Sequence, residues 1–305
     1  MARRLVWEQD GSGWPHAASS RFVQAAGLRW HVQQLGPDGA PVLLLLHGTG
    51  ASTHSWRGLM SALADRFHIV APDLPGHAFT DMPASPRQLG LPGMAGAVAA
   101  LMATLGRAPA LVVGHSAGAA IGARLCLDGA LAPHALVSLN GALLPLSGLA
   151  GQVFSPLARL LTVNTLVPRL FSWRAADPAV LKRLLDGTGS ALDAAGAALY
   201  GRLVANPGHV AGALGMMAQW DLQALQRDLP RLATPLHLVV GARDRTVPPR
   251  EQRRVRGLVP GATWTELPGL GHLAHEEQPA ELARLLAEMA RGAGLLGAMA
   301  PGAFP

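Results

Sequence analysis

Cysteine, lysine and charged residues in general are scarce in this sequence. Cys126 is the only cysteine and Lys182 the only lysine, and charged residues make up 14% of the 305 positions. A single cysteine excludes an internal disulfide and fits a reducing compartment, so we expect Cys126 to be buried and inert. Half of the residues are hydrophobic, which is enough for one large core with an inserted subdomain rather than two long domains.

The excess of positive charge is not concentrated in one region. The net charge is +6, yet the basic residues are scattered arginines, and only the segment 250–256 approaches a run. Because this run lacks interleaved aromatic residues, a solvated helix face is favoured over an anion or nucleic-acid patch. We therefore expect no nucleic-acid partner.

Long apolar runs are missing as well. Prolines, glycines and polar residues interrupt the uncharged stretches 88–106 and 129–158, whereas a spanning helix needs ~20 continuous, mostly apolar residues. Arg3 and Arg4 are not followed by the apolar segment of a secretory signal. We expect a cytoplasmic protein without spanning helices, and peripheral contact with the inner face of the membrane stays open.

The order of the apolar segments predicts a mostly parallel sheet. Segment 42–46 is an uninterrupted apolar run, typical of a central parallel strand covered on both faces. Strands are predicted at 21–26, 28–34, 42–46, 68–71, 110–113, 135–139, 236–240 and 263–267. Helices are predicted at 53–65, 92–105, 117–127, 249–256 and 277–290. This alternation predicts an α/β fold with eight strands and helices on both faces.

A long connection separates the strand at 135–139 from the strand at 236–240, and it far exceeds the usual few residues. It predicts a helical lid at 145–229, inserted into a core formed by residues 1–144 and 230–305. Its large apolar residues could cover the carboxyl edge of the sheet: Phe154, Leu160, Leu161, Phe171, Trp173, Met216, Met217 and Trp220. Packing within the lid and a lipophilic substrate pocket are both open interpretations. The tail 292–305 is rich in glycine, alanine and proline and is expected to fray.

The segment Gly114-His115-Ser116-Ala117-Gly118 follows an apolar strand and opens a helical stretch. A G-x-S-x-G motif in this setting predicts a sharp turn that holds the serine hydroxyl above the edge of the sheet, with glycines where the chain passes close to itself. The helix that follows points its first N–H groups at the same place. Ser116 is therefore the predicted nucleophile.

The segment His47-Gly48-Thr49-Gly50 ends the strand at 42–46 and predicts an oxyanion loop. A tetrahedral intermediate carries charge on the former carbonyl oxygen, which two preorganised N–H donors stabilise. We assign those donors to the backbones of Thr49 and Ala117. A plain tight turn made by Gly48 and Gly50 is the alternative.

A serine needs a base, and the base needs a carboxylate that orients it. Asp244 follows the strand at 236–240 and His272 follows the strand at 263–267, so both lie at the edge where α/β sheets bind ligands. The predicted triad is Ser116, Asp244 and His272. The spacing His272-x-x-His275 is too weak to indicate a metal, and we expect no metal and no cofactor.

Three further residues near this edge have other predicted roles. His115 is expected to pack beside the nucleophile, and with His47 it joins the candidates for lining a substrate pocket: His47, His115, Trp173, Met216, Met217 and Trp220. Asp73 lies in a Pro/Gly-rich segment, which favours a structural turn over a catalytic role.

Together these motifs resemble the α/β-hydrolase superfamily over nearly the whole chain, with Ala78 where the superfamily's turn usually has glycine. Segments outside the motifs resemble the magnesium chelatase accessory proteins of bacteriochlorophyll biosynthesis: Trp14-Pro15, 20–23, 27–33, 43–56, 126–129, 139–156 and 208–222. The resemblance implies an α/β-hydrolase fold, a role beside magnesium insertion into protoporphyrin IX in a photosynthetic bacterium, and contact with magnesium chelatase subunits. The G-x-x-x-x-G-K-[ST] loop of an ATP-driven chelatase subunit is absent.

Three functions remain compatible with these residues. The first is a serine esterase acting on a bulky apolar substrate such as a tetrapyrrole ester. The second is a porphyrin-binding or chelatase-docking protein with an idle triad, in which arginines pair with propionate carboxylates. The third is a general carboxylesterase of an unrelated pathway.

Overall fold

A mostly parallel eight-stranded sheet forms the centre of the molecule. The computed structural model describes residues 3–145 and 166–297. In chain order the strands are β1 (Ser20–Ala25), β2 (Leu28–Leu35), β3 (Val42–Leu46), β4 (His68–Pro72), β5 (Leu111–His115), β6 (Ala135–Leu139), β7 (Leu236–Gly241) and β8 (Thr263–Leu267). In space the order is β1-β2-β4-β3-β5-β6-β7-β8. Strand β2 is antiparallel to both neighbours and β3 to β8 are mutually parallel, so the predicted mostly parallel sheet is confirmed.

Helices cover both faces of the sheet. Within the described residues they are α1 (Trp7–Asp10), α2 (Arg57–Leu63), α3 (Leu91–Thr104), α4 (Ala117–Leu127), α5 (Leu166–Ala175), α6 (Pro178–Asp186), α7 (Ala194–Val204), α8 (Pro207–Gln219), α9 (Gln223–Asp228), α10 (Pro249–Leu258), α11 (Ala274–Glu277) and α12 (Pro279–Gly292). Short 3-10 helices lie at Ala17–Ser19, Thr53–Trp56, Pro86–Leu89 and Leu229–Arg231.

The apolar run in β3 is buried on both sides because successive side chains alternate between faces. Leu44 and Leu46 belong to the core that includes α3 and α4, whereas Leu43 and Leu45 belong to the core that includes α2 and α12. All four are fully buried. The predicted helix-covered central strand is confirmed.

Several strands and helices begin or end at residues other than the predicted ones. Strand β5 extends to His115, and the helix expected at 53–65 begins as a 3-10 turn before α2. The helix expected at 277–290 is α12, which begins two residues later at Pro279, and the short helix α11 precedes it because Pro279 cannot continue a helix from the preceding turn. Helix α1 and the 3-10 helix at Ala17–Ser19 were not predicted.

Two single-residue expectations also meet the structure. Cys126 is only partly buried rather than buried, although burial raises the pKa of its thiol and so keeps it protonated. Ala78 has a φ of 38°, in the left-handed region, which explains why glycine is usual at this position.

The chain between β6 and β7 contributes the helices α5 to α9. Arg57 of α2 holds this region to the rest of the molecule, since its guanidinium bonds Asp193, the N-cap of α7, at 2.9 Å and also pairs with Glu276. Tyr200 of α7 donates a 2.7 Å hydrogen bond to the same Glu276. The predicted division at 145–229 stays a prediction, and Phe154, Leu160, Leu161 and the tail beyond residue 297 lie outside the described residues.

None of the helices in the ranges 3–145 and 166–297 combines the length and the apolar character needed to cross a bilayer.

Candidate active site

Ser116 lies at the sharp turn between β5 and α4. Its φ of 52° and ψ of −117° place a non-glycine residue in a strained conformation of the kind that clusters at functional sites. The flanking glycines are required because a Cβ at Gly114 would overlap the backbone of Ala119, and one at Gly118 would overlap the backbone of Leu46. The serine is therefore held on a bend that only this glycine pattern permits.

Asp244 and His272 form a buried hydrogen-bonded pair. The two loops that follow β7 and β8 bring His272 Nδ1 to 2.8 Å from Asp244 Oδ2, and both residues are buried. The other carboxylate oxygen, Oδ1, accepts the backbone N–H groups of Thr246 and Val247 at 2.8 and 2.9 Å. The carboxylate is thus oriented from its own loop and fixes the His272 tautomer with the proton on Nδ1.

Asn140 also contacts this carboxylate, a contact that the sequence does not predict. Its Nδ2 donates to Asp244 Oδ2 at 2.7 Å, from a position directly after β6 with a φ of 47°. The available signal was its place, since it is the polar residue directly after the fully buried strand β6, at the edge of the sheet where the triad is predicted.

His115, which the sequence was expected to place beside the nucleophile, also packs against the predicted base. Its Nε2 donates to the backbone carbonyl of His272 at 2.9 Å, and the two ring centroids are 4.7 Å apart. Burial, together with the neighbouring His275 and His272, holds the pKa of His115 well below its usual range. It is a neutral spacer that positions the His272 backbone.

The last contact of the predicted triad is not formed. Among the hydrogen bonds of the described residues, none joins the Ser116 hydroxyl to the His272 ring. In structures without substrate such contacts are often long and tighten only in the reacting complex. The triad as a unit therefore stays a prediction.

The predicted oxyanion donors are unused by the protein. Ala117 is the first residue of α4, where backbone N–H groups lack helical partners, and within the described residues Thr49 N–H donates no hydrogen bond. A Cβ at Gly48 would lie 3.0 Å from Ser116 Cβ and 2.9 Å from His115 Nδ1, so the loop passes directly over the serine. Both donors are available to an anion, and their assignment stays a prediction.

The substrate-pocket candidates do not all lie together. His47 is buried beneath the oxyanion loop, and Met216 Sδ accepts from Thr49 Oγ1 at 3.4 Å. Met217 and Trp220 are partly buried at the end of α8. The prediction that Trp173 lines the pocket is wrong, because 71% of this residue is exposed on α5. Composition alone cannot distinguish the inner from the outer face of an inserted helix.

Asp73 has the structural role that the sequence favoured. Its buried carboxylate bonds His31 Nδ1 at 2.7 Å and accepts the backbone N–H groups of Thr53 and Phe79 at 2.8 and 3.3 Å. Burial alone would raise the pKa of Asp73, but the His31 charge and hydrogen bond outweigh it and lower the pKa to about 2.

No group of three side chains suited to hold a metal ion occurs in residues 3–145 and 166–297. His275, the second histidine of the His272-x-x-His275 spacing, is buried between Trp56 and His115, with ring centroids 4.6 and 4.5 Å away.

Comparison with known proteins gives a family and a set of relatives. Residues 41–279 match the family model for the alpha/beta hydrolase fold. The chain is 41% identical over 265 residues to the magnesium-chelatase 30 kDa subunit of Rhodobacter capsulatus, an alignment covering 87% of this chain and 92% of that protein.

Solved structures share the fold across different activities. An esterase from Rhodococcus sp. ECU1013 superposes with a TM-score of 0.70 at 23% identity, and the match covers 92% of this chain and 100% of the esterase. A haloalkane dehalogenase loop variant from Bradyrhizobium elkanii gives a TM-score of 0.70 at 22% identity, covering 90% of this chain and 97% of its own. At this identity the likeness concerns the fold alone.

Proposed function

We propose that this chain, a member of the alpha/beta hydrolase family, is a serine hydrolase that cleaves ester bonds with Ser116, His272 and Asp244. Two observations carry this proposal: the buried 2.8 Å pair between Asp244 and His272 in the loops after β7 and β8, and the strained turn that holds Ser116 after β5. A structural pair would not need a neighbouring serine at φ 52°.

The residues divide the reaction between them. Ser116 Oγ attacks the ester carbonyl while His272 Nε2 takes its proton, and Asp244 stabilises the resulting imidazolium through Nδ1–H. The N–H groups of Thr49 and Ala117 bind the oxyanion. His272 then protonates the departing alcohol, and a water molecule, activated by the same ring, hydrolyses the acyl-enzyme and regenerates Ser116.

The proposed substrate is bulky and apolar, with a tetrapyrrole ester as the leading candidate. The relative named as the magnesium-chelatase 30 kDa subunit supports a role beside magnesium insertion into protoporphyrin IX and contact with chelatase subunits. Met216 next to the Thr49 side chain supplies an apolar wall at the proposed oxyanion site.

The direct test is active-site labelling. The purified protein is treated with a fluorophosphonate probe and the modified peptide is sequenced by mass spectrometry, with p-nitrophenyl ester turnover measured in parallel. We expect stoichiometric labelling at Ser116 and none in Ser116→Ala, while Ser12→Ala, an exposed serine, labels like the parent. Ester turnover by Ser116→Ala at the parental rate would reject the proposal.

A non-catalytic porphyrin-binding or chelatase-docking role is the second candidate. It is favoured by the relative's name and by the unformed bond between Ser116 and His272. The same experiment separates the two functions, because an idle triad predicts no labelling together with tight binding of protoporphyrin IX, measured by fluorescence quenching.

Peripheral membrane contact through the inserted helices belongs to either role. Leu166, Leu170 and Trp173 are 62%, 62% and 71% exposed at spacings of four and three along α5, so they share one face. Arg169 and Arg174 are exposed on the same helix and suit anionic headgroups. We propose that this face rests on an anionic bilayer.

Vesicle flotation tests the membrane contact. We expect the protein to float with phosphatidylglycerol vesicles more than with phosphatidylcholine vesicles. Trp173→Gln should weaken binding at least about tenfold, since burying one such side chain is worth ~1.5–3 kcal/mol. The control is Val6→Gln, which replaces an exposed apolar residue outside α5. Equal flotation of Trp173→Gln and the parent would count against this surface.

A further inference from the structure

His47 can carry its proton in only one place. The backbone N–H of Leu74 donates to His47 Nε2 at 2.9 Å, so that nitrogen must be bare. The proton therefore sits on Nδ1, which donates to the carbonyl of Gly48 at 2.8 Å. Burial lowers the pKa of His47 despite the nearby charge of Asp73, so the ring stays neutral in this tautomer.

This hydrogen bond sets the direction of the Thr49 N–H group. The carbonyl of Gly48 and the N–H of Thr49 belong to one trans peptide and point to opposite sides. His47 Nδ1 and the N–H of Ala51 donate to this carbonyl at 2.8 and 3.1 Å and so fix the orientation of the peptide. Rotation of this peptide would turn its oxygen, rather than its N–H, toward the reacting carbonyl.

The outer side of the loop is held by helix α8. His209 Nδ1 accepts the N–H of Ala78 at 3.0 Å, so its Nε2 carries the proton and donates to the carbonyl of Gly50 at 3.0 Å. Seven residues later, Met216 meets the Thr49 side chain. Between them Gly212 lies so close to the carbonyl of Gly76 that no Cβ would fit.

His209, Gly212 and Met216 thus form one face, three and four residues apart on α8. We propose that this face is a positioning surface for the oxyanion loop, and that Thr49 N–H points at the oxyanion only while α8 is seated against residues 48–50 and 76–78. The inference rests on the proposed hydrolase function, because an oxyanion donor has no purpose without it. It makes the seating of an inserted helix a condition of turnover.

Two variants on one helix test the proposal by activity. Gly212→Ala adds a methyl group that overlaps a backbone oxygen and displaces α8 without removing any polar group. We expect kcat for p-nitrophenyl esters to fall ~10²–10³-fold with little change in KM, the loss seen when one oxyanion donor is removed. Gly215→Ala, whose Cβ would meet only the tip of the Leu89 side chain, should retain most of the activity.

His209 provides a second pair in case Gly212→Ala does not fold. His209→Ala should lower kcat in the same way, whereas His209→Gln should recover much of it, since an amide can both accept from Ala78 and donate to Gly50. A merely structural role predicts lower thermal stability with an unchanged kcat of the folded fraction, and that result would overturn the proposal.

A measurement without turnover separates this inference from the proposed function. Nitrogen-15 spectra should show His47 protonated on Nδ1 and His209 on Nε2. Amide hydrogen exchange at Ala51 and Ala78 should be faster in Gly212→Ala, or in His209→Ala, than in the parent. Unchanged exchange would overturn the inference even in an active enzyme. Faster exchange in a protein that never labels or turns over would reject the hydrolase function and leave the contact between α8 and the loop standing.

Discussion

Replacing Asp244 by asparagine is expected to lower kcat/KM for ester hydrolysis by roughly 10⁴-fold, which corresponds to about 5 kcal/mol of lost transition-state stabilisation. The fold should survive, because the two side chains have nearly the same shape. The measurement is p-nitrophenyl ester turnover alongside circular dichroism.

The size of the effect follows from the number of donors around the carboxylate. Oδ1 accepts from the N–H groups of Thr246 and Val247, and Oδ2 accepts from Asn140 and from His272 Nδ1. Asparagine has one acceptor oxygen, so its NH₂ group must face one of these pairs. With the oxygen kept on the backbone pair, the NH₂ group faces His272.

His272 would then adopt the opposite tautomer. Its Nδ1 would accept from the new amide and its proton would move to Nε2, the atom that must receive the proton of Ser116. Asp65→Asn is the matched control, since Asp65 is exposed and lies outside the site. A folded Asp244→Asn protein with parental turnover would show that the pair has no part in the chemistry.

The triad positions could be predicted from local sequence pattern, whereas the contacts that were missed join residues far apart in the chain. Ser116, Asp244 and His272 each lie within five residues of the end of a parallel strand, so local pattern and strand order suffice to place them at one edge of the sheet. Asn140 occupies the same kind of position, but nothing in its neighbourhood indicates that its amide meets Asp244, 104 residues away. The bond from Ala78 to His209 spans 131 residues and is equally invisible to local pattern.

Burial of individual histidines was another feature that the sequence could not reveal. Twelve histidines are present, most of them expected to be surface or structural residues, and histidine is only intermediate in its tendency to be buried. The structure instead buries six whose pKa values are lowered, with burial as the largest cause in every case: His47, His54, His77, His115, His209 and His275. The rings of His47 and His209 both contact His77, and His275 contacts His115, which in turn contacts His272.

These six rings make the fold sensitive to acid. Each has a pKa below the unfolded value of about 6.5, so the unfolded chain binds more protons than the native state as the pH falls through that value. The stabilising contribution of each neutral ring is fully present above about pH 6.5. As the pH falls below that value, each ring lowers the free energy of unfolding by up to ~1.4 kcal/mol per pH unit. Burial raises the pKa of Glu276 to about 7, so this one group opposes the loss as the pH falls.

The six histidines lose stability as the pH falls and Glu276 alone gains it, so the net effect is a loss, set against a typical unfolding free energy of ~5–15 kcal/mol. We therefore expect the free energy of unfolding to fall as the pH drops below about 6.5, above the range in which exposed carboxylates titrate. Urea unfolding followed by circular dichroism at a series of pH values measures this slope. A free energy of unfolding that stays constant from pH 7 to 5 would show that these buried histidines are not held neutral in the folded protein.

One ring can be removed to count its contribution. His275 packs between Trp56 and His115, and neither of its ring nitrogens has a hydrogen-bond partner among the described residues, so His275→Leu strands no donor or acceptor. The slope below pH 6.5 should fall by ~1.4 kcal/mol per pH unit, the equivalent of one proton. His134→Gln, which changes an exposed histidine, should leave the slope unchanged. Equal slopes in the two variants would mean that His275 is not held neutral by burial.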